Sequence, residues 1–280
     1  MPFLELFDET LDINSTENYE LSVQVSNDNL SFCILDTLRN KFVLLRSYET
    51  EENSRFDADK IADVINKDDF LIRHYKKVTI VIPSHKSTLV PGPLYEDYKA
   101  AEYFTFNQVL SDSDKIMTSK IPDPDICIIY SLPNGFMDVI NNSFPGRTII
   151  HQFLPVFRYI KYNRRSLGGN SIHINIERDY INVIIFDQNA LRFCNTFQFR
   201  TVSDIQYYII YVLKKLNISH DETVYFSGMA IKQEEIMRAF SAYLTNVRFA
   251  LPSGDFTFSY VLGERELNRF LILFSAAGCE

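Results

Sequence analysis

The chain has 280 residues, 46% apolar and 23% charged, with a formal net charge of −8; this composition belongs to an ordered globular protein, and the length suits two domains of roughly 100–150 residues. An acidic balance with no long Lys/Arg block argues against a nucleic-acid or anionic-membrane surface, because both are bound by neutralising phosphates. Cys33, Cys127, Cys194 and Cys279 form no CxxC pair, which points to a reducing compartment. The opening MPFLELFDETLD has neither a basic nor a long apolar region, and apolar runs such as FLILFSAAG fall short of the ~20 residues that cross a bilayer. The expectation is a soluble cytoplasmic protein without membrane insertion.

In chain order, three closely spaced apolar runs at 21–26, 30–36 and 41–48 predict antiparallel hairpins. Ala58, Ile61, Ala62 and Ile65 give the stripe of a surface helix over Asp57–Asp68. KVTIVI at 77–82 and DICIIY at 125–130 suit buried parallel strands. Helices are predicted at Leu94–Tyr103 and Asn134–Phe144, and Thr105–Pro124 reads as a small β insertion around the turn-rich SDSD. A strand-like return at Gly146–Ile150 and a helix at Pro155–Asn163 precede a joint at Leu167-Gly168-Gly169. Strands at 171–177, 180–187 and 190–197 then lead into a helix at Ser203–Leu216, opened by Ser203 and Gln206 as a capping box. A strand at 222–227, a helix at 232–243, a strand at 245–250 and a last helix near 264–276 complete the chain.

Residues 21–36, LSVQVSNDNLSFCILD, and 172–187, IHINIERDYINVIIFD, share one pattern 151 residues apart without a gap. Leu21, Val23 and Val25 match Ile172, Ile174 and Ile176; Asp28 matches Asp179, and each copy closes on Asp36 or Asp187. A repeat at this distance predicts two halves of one fold, each reading β-β-β-α-β-α-β-α with a mixed sheet. The predicted domains are 19–165, carrying the insertion at about 105–124, and 166–280.

This duplicated unit resembles the actin-like (ribonuclease H-like) superfamily over nearly the whole chain. Asp125–Arg165 is similar to the domain-joining segment of type IV pilus and type II secretion actin-like platform proteins, and the lead and length also resemble a bacterial domain-of-unknown-function family. The resemblance implies an ATP site at three turns, the first hairpin of each domain supplying an Asp for magnesium and a Gly for phosphate approach. Here Gln24 and Ser26 stand at the first pair of positions, Asn175 and Glu177 at the second. Amides are poor ligands for a hard dication, and Glu177 adds negative charge where phosphates would lie. The third turn, Tyr225-Phe226-Ser227-Gly228-Met229-Ala230, keeps one of two paired glycines. Gln24 and Asn175 are also where related nucleases place a catalytic aspartate, and no GxxxxGK[ST] or HExxH occurs.

The expectation is therefore a non-catalytic scaffold or assembly protein acting through protein contacts, with no catalytic residue, metal or cofactor assigned and no nucleic-acid partner. The alternative is a divergent ATP-binding kinase or ATPase, for which Ser26, Asn27, Arg178 and Gly228 would hold phosphates and Asp28 or Asp179 would supply the carboxylate. Gly228 has a second explanation, a strand-to-helix turn that needs positive φ. Asp36 and Asp187 read as turn residues; Arg158, Lys161 and Arg165 as a solvated helix face; and His74, His85, His151, His173 and His220 show no metal spacing. Phe3, Leu4, Leu6 and Phe7 read as a terminus packed on its host domain.

Overall fold

Runs rich in Val, Ile and Phe, cut by short polar turns, form the strands, because β-branched and aromatic side chains pack well on a pleated surface. A computed structural model describes residues 1–51, 54–164, 170–187, 190–228, 232–252, 254 and 256–279. Strands β1 (Leu4–Phe7), β2 (Tyr19–Val25), β3 (Asn29–Asp36) and β4 (Lys41–Glu49) lead into α1 (Ala58–Lys67) and β5 (Lys77–Ile82). Next come β6 (Ser87–Pro91), α2 (Ala100–Thr105), β7 (Asp114–Pro122), β8 (Asp125–Pro133), α3 (Asn134–Ser143), β9 (Thr148–His151) and α4 (Phe153–Arg164). The chain divides into two compact units: Met1–Val156 with Asp255–Gly263 and Leu273–Glu280, and Phe157–Gly254 with Glu264–Ile272. The expected boundary at 165/166 and the Gly168-Gly169 joint lie outside the described residues.

The first unit is built on a sheet of order β1-β4-β3-β2-β5-β9. Its hairpin strands are antiparallel, while β5 lies parallel to β2 and β9 parallel to β5. Every residue from Leu21 to Val25 and from Leu30 to Asp36 is buried, so both faces of this hairpin are covered. Asp57 caps α1 by accepting from Lys60 N at 2.8 Å, and Ile61 and Ile65 face the core.

The expected insertion is larger than 105–124. A separate sheet of order β6-β8-β7 runs from Ser87 to Pro133 and closes over its own cluster of Val90, Phe104, Cys127 and Ile129. Asp125–Tyr130, expected as a main-sheet strand, belongs to this small sheet. Two residues separate β7 from β8, with Pro122 opposite Asp125, and so short a link permits antiparallel pairing alone. The place beside β5 is taken by Thr148–His151.

The second unit comprises β10 (Asn170–Ile176), β11 (Tyr180–Asp187), β12 (Ala190–Gln198), α5 (Val202–Lys215), β13 (Thr223–Gly228), α6 (Gln233–Phe240) and β14 (Asn246–Phe249). Its sheet order, β12-β11-β10-β13-β14, repeats β4-β3-β2-β5-β9 with the same strand directions. Leu21 faces Ile34 as Ile172 faces Ile185, and a register shift follows Ile34 in one sheet and Ile185 in the other. The cap of α5 is Thr201, not Ser203: Thr201 is extended, its hydroxyl accepts from Asp204 N, and Asp204 accepts from Thr201 N in return. Ser203 therefore sits inside the helix. Last come β15 (Thr257–Phe258), which pairs parallel with β4, then α7 (Glu264–Arg269) and α8 (Leu271–Ala276).

Two histidines are core residues. His151 lies between the rings of Tyr130 and Phe153, each at 4.8 Å, and His173 stacks on Tyr225 at 5.1 Å. Burial pushes both imidazoles down to about 3. The unfolded chain, with histidines near 6.5, then binds more protons than the folded one as pH falls from 6.5 toward 3, so stability is lost through that window. Each histidine is expected to remove about 2 kcal/mol between pH 7 and pH 5. Urea midpoints at the two pH values check this, and His173→Gln should reduce the difference by about half.

Candidate functional site

The β2–β3 turn, one of those for which the resemblance implies phosphate contacts, carries hydrogen bonds of its own. In the first unit the Ser26 hydroxyl donates to Asp28 Oδ1 and accepts from Asn29 N at 3.0 Å, while Ser26 N donates to Asn29 O at 2.9 Å. The Asp28 carbonyl accepts from Thr50 N at 2.9 Å, and the Asn27 carbonyl accepts from Phe56 N. The carboxylate nearest this turn is thus engaged with the hydroxyl beside it.

A row of polar side chains crosses each buried sheet at the same register. In the first unit Gln24 faces Ser31, which faces Ser47, and the two serine hydroxyls lie 2.8 Å apart. In the second unit Ser227, Asn175, Asn182 and Thr196 stand side by side on four strands. Ser227 Oγ donates to Asn175 Oδ1 at 2.9 Å, Asn175 Nδ2 donates to Glu177 Oε1 at 2.8 Å, and Thr196 Oγ1 donates to Asn182 Oδ1 at 2.8 Å. Buried polar groups cost about 1–3 kcal/mol each when unpaired. Hydroxyl, amide and carboxylate partners meet that demand for Asn175, Ser227 and Thr196. Among the described residues no group of three or more His, Cys, Asp or Glu side chains is placed to hold a metal ion.

Ser26 and Asn27 line a cleft of about 210 Å³ in the first unit, shared with Ser84, Lys86, Ser131 and Asp114. Lys86 Nζ donates to the Val109 carbonyl at 3.3 Å and lies 3.9 Å from Asp114 Oδ2. Sequence reasoning missed Ser84 and Lys86, although they directly follow a buried parallel strand, β5, and ligands of α/β sheets gather at the carboxyl ends of such strands. Arg178 and Asp179 occupy the β10–β11 turn, partly buried, and Gly228 ends β13 opposite Ile176. The structure thus brings Ser26 and Asn27 together in one unit and sets Gly228 beside Asn175 in the other. Met229, Ala230 and Arg165 lie outside the described residues.

Gly228 has φ +86°, and a Cβ there would stand 2.2 Å from the Ile176 carbonyl oxygen and 2.9 Å from Asn175 Oδ1. Close strand packing therefore requires glycine at this position, whatever else it contacts.

A family model described as "Protein of unknown function (DUF3822)" matches residues 8–247. The chain belongs to this family. No curated protein matches it. Among solved structures, a Bacteroides thetaiotaomicron protein with an actin-like ATPase fold and unknown function is 21% identical, covers 97% of this chain and 100% of its own, and has a TM-score of 0.82. The PilM-PilN type IV pilus biogenesis complex gives a TM-score of 0.59 at 9% identity, over 92% of this chain and 97% of that one. The ethanolamine utilization protein EutJ from Carboxydothermus hydrogenoformans gives 0.50 at 7% identity, over 97% and 92%. The fold is the actin-like ATPase fold, as the repeated hairpins implied.

Gly228→Ala is expected to cost about 2 kcal/mol or more, combining left-handed strain with the carbonyl clash. Gly146→Ala, also at positive φ (+73°) but with nothing within 4 Å of a new Cβ, should cost about 1 kcal/mol. Urea denaturation of the two variants checks the order.

Proposed function

We propose that the protein is a non-catalytic, cytoplasmic actin-like scaffold that works by holding other proteins, and that its two similar sheets are copies of one ancestral unit. The reading is carried by the contrast between inward-satisfied turns and an outward-facing apolar surface on the segment around the small sheet. Phe106 is 91% exposed, Tyr98 80%, Val109 79% and Leu94 66%. None of these supports the small core, which uses Phe104 instead. Four large apolar side chains exposed within sixteen residues of chain fit a partner site. That PilM occurs in a complex with PilN accords with a protein-binding role, and the net charge of −8 favours protein over nucleic acid.

A second reading, a divergent ATP-binding kinase or ATPase, has one observation in its favour: the first-unit cleft that joins Ser26 and Asn27 to Lys86. On that reading Lys86→Ala abolishes magnesium-dependent nucleotide binding. On the scaffold reading it leaves partner capture unchanged.

Because Phe106 and Val109 are exposed, Phe106→Ser with Val109→Ser is expected to shift stability by no more than about 0.5 kcal/mol and to remove partner capture in a pull-down from the native cell. Unchanged capture by the folded variant would put the interface elsewhere.

A further inference from the structure

The two sheets treat one edge differently. In the first unit the outer side of β4 is covered along its length: β1 runs antiparallel with Leu4 opposite Ser47 and Phe7 opposite Leu44, and β15 lies beside Lys41 and Phe42. Phe3 N and Asp8 N donate to the carbonyls of Ser47 and Val43, both at 2.8 Å. Glu5, facing Arg46 across the pair, reaches its guanidinium at 3.2 Å. Phe42 to Ser47 are consequently all buried.

The matching strand of the second unit is β12. Ile185 faces Phe193 as Ile34 faces Leu44, so Phe193, Cys194, Asn195 and Thr196 stand where Leu44, Leu45, Arg46 and Ser47 stand. Among the described residues no strand pairs with its outer side, and no residue of β12 is fully buried. The Thr196 N–H is taken up by the neighbouring Asn195 Oδ1 at 2.9 Å, a local substitute for a missing strand. An open strand edge is a template for pairing.

The side chains beside that edge indicate what fits. Rings run from Phe193 to Phe197 (6.4 Å), to Tyr208 (4.7 Å), to Tyr207 (5.6 Å) and to Tyr211 (5.9 Å). Tyr207 is 63% exposed and Tyr211 47%, and Lys215 Nζ lies 5.5 Å over the Tyr211 ring. Arg192 is exposed at the same end, its guanidinium donating to the Leu216 carbonyl. At the other end Gln198 and Tyr208 open into a cleft of about 440 Å³ that also holds Arg200, Asp179 and Asp204.

We propose that β12 binds an extended segment of another protein by antiparallel strand addition, the segment setting an acidic residue between apolar ones as Leu4-Glu5-Leu6-Phe7 does on β4. Backbone hydrogen bonds supply the register. Apolar side chains cover the half-exposed ring row, and carboxylates meet Arg192 and Lys215. The proposal goes beyond the scaffold reading and does not require the partner site on the small-sheet segment.

The test uses the full chain and a peptide of sequence FLELFD, copied from Phe3–Asp8, labelled at its C-terminal end. Fluorescence polarisation should show saturable binding, and amide hydrogen exchange should slow within Ala190–Gln198. A peptide of the same composition with the glutamate moved from between the leucines to the end, LLFFED, should bind at least tenfold more weakly. The surface variant Tyr211→Ala with Lys215→Glu should weaken FLELFD at least tenfold with an unchanged unfolding midpoint. The proposal is overturned by absent or non-saturable binding, by equal binding of the two peptides, or by protection falling on Lys41–Glu49 instead. A concentration-dependent dimer that already protects β12 without peptide would overturn it too, since a second copy would then fill the edge.

Discussion

Each unit rests on a hairpin buried on both faces, β2–β3 in one and β10–β11 in the other, with a parallel strand laid against it. A polar group left unpaired on a hairpin in that position is costly, because neither face meets water. Leu21, Val23, Ile34 and their counterparts Ile172, Ile174 and Ile185 are at most 1% exposed, so register is fixed: a slip by one residue would turn the apolar set toward the polar row. The same constraint explains the turns. Asn175, 2% exposed, must satisfy both ends of its amide, and Ser227 and Glu177 do so. A carboxylate there would need a cation to balance its charge; the amide does not.

Where the two units differ, they differ at their margins. The buried hairpins keep one register, while the first unit gains a small sheet between β5 and α3 and has its β4 edge closed by β1 and β15. Arg46 shows how firmly that closure is held. Its guanidinium meets the buried Asp68 at 2.8 Å and the exposed Asp69 and Glu5 at 2.7 and 3.2 Å, tying β1, β4 and the end of α1 together. The corresponding residue on β12 is Asn195, which is exposed and bonded to the backbone of the next residue.

The sequence made the hairpins legible because burial on both faces writes a continuous apolar run whose repeat at 151 residues survives any change in the turns. The helix α1 was legible from its stripe and Asp57. The small sheet was not, since β6 pairs with β8 across about forty residues and local periodicity carries no sign of so distant a partner. Leu94–Tyr103 reads as a helix by composition, yet helix α2 starts at Ala100 and the residues before it form two short 3-10 turns at Gly92–Leu94 and Asp97–Lys99; Pro93 cannot donate within a helix and restricts Gly92 before it. The last predicted helix divides at Phe270. At the candidate site, the amides Gln24 and Asn175 and the second explanation for Gly228 could be read from residue types. Ser84 and Lys86 carried only the signal of following β5; their place beside Ser26 and Asn27 is set by folding.

Whether the β2–β3 and β10–β11 turns, closed by their own hydrogen bonds, leave room for a nucleotide is addressed directly by calorimetric titration of the full chain with Mg-ATP. Closed turns predict no saturable heat and an unfolding free energy unchanged by nucleotide. Saturable, magnesium-dependent binding, with about 2.7 kcal/mol of added stability at a hundred times the dissociation constant, would contradict it.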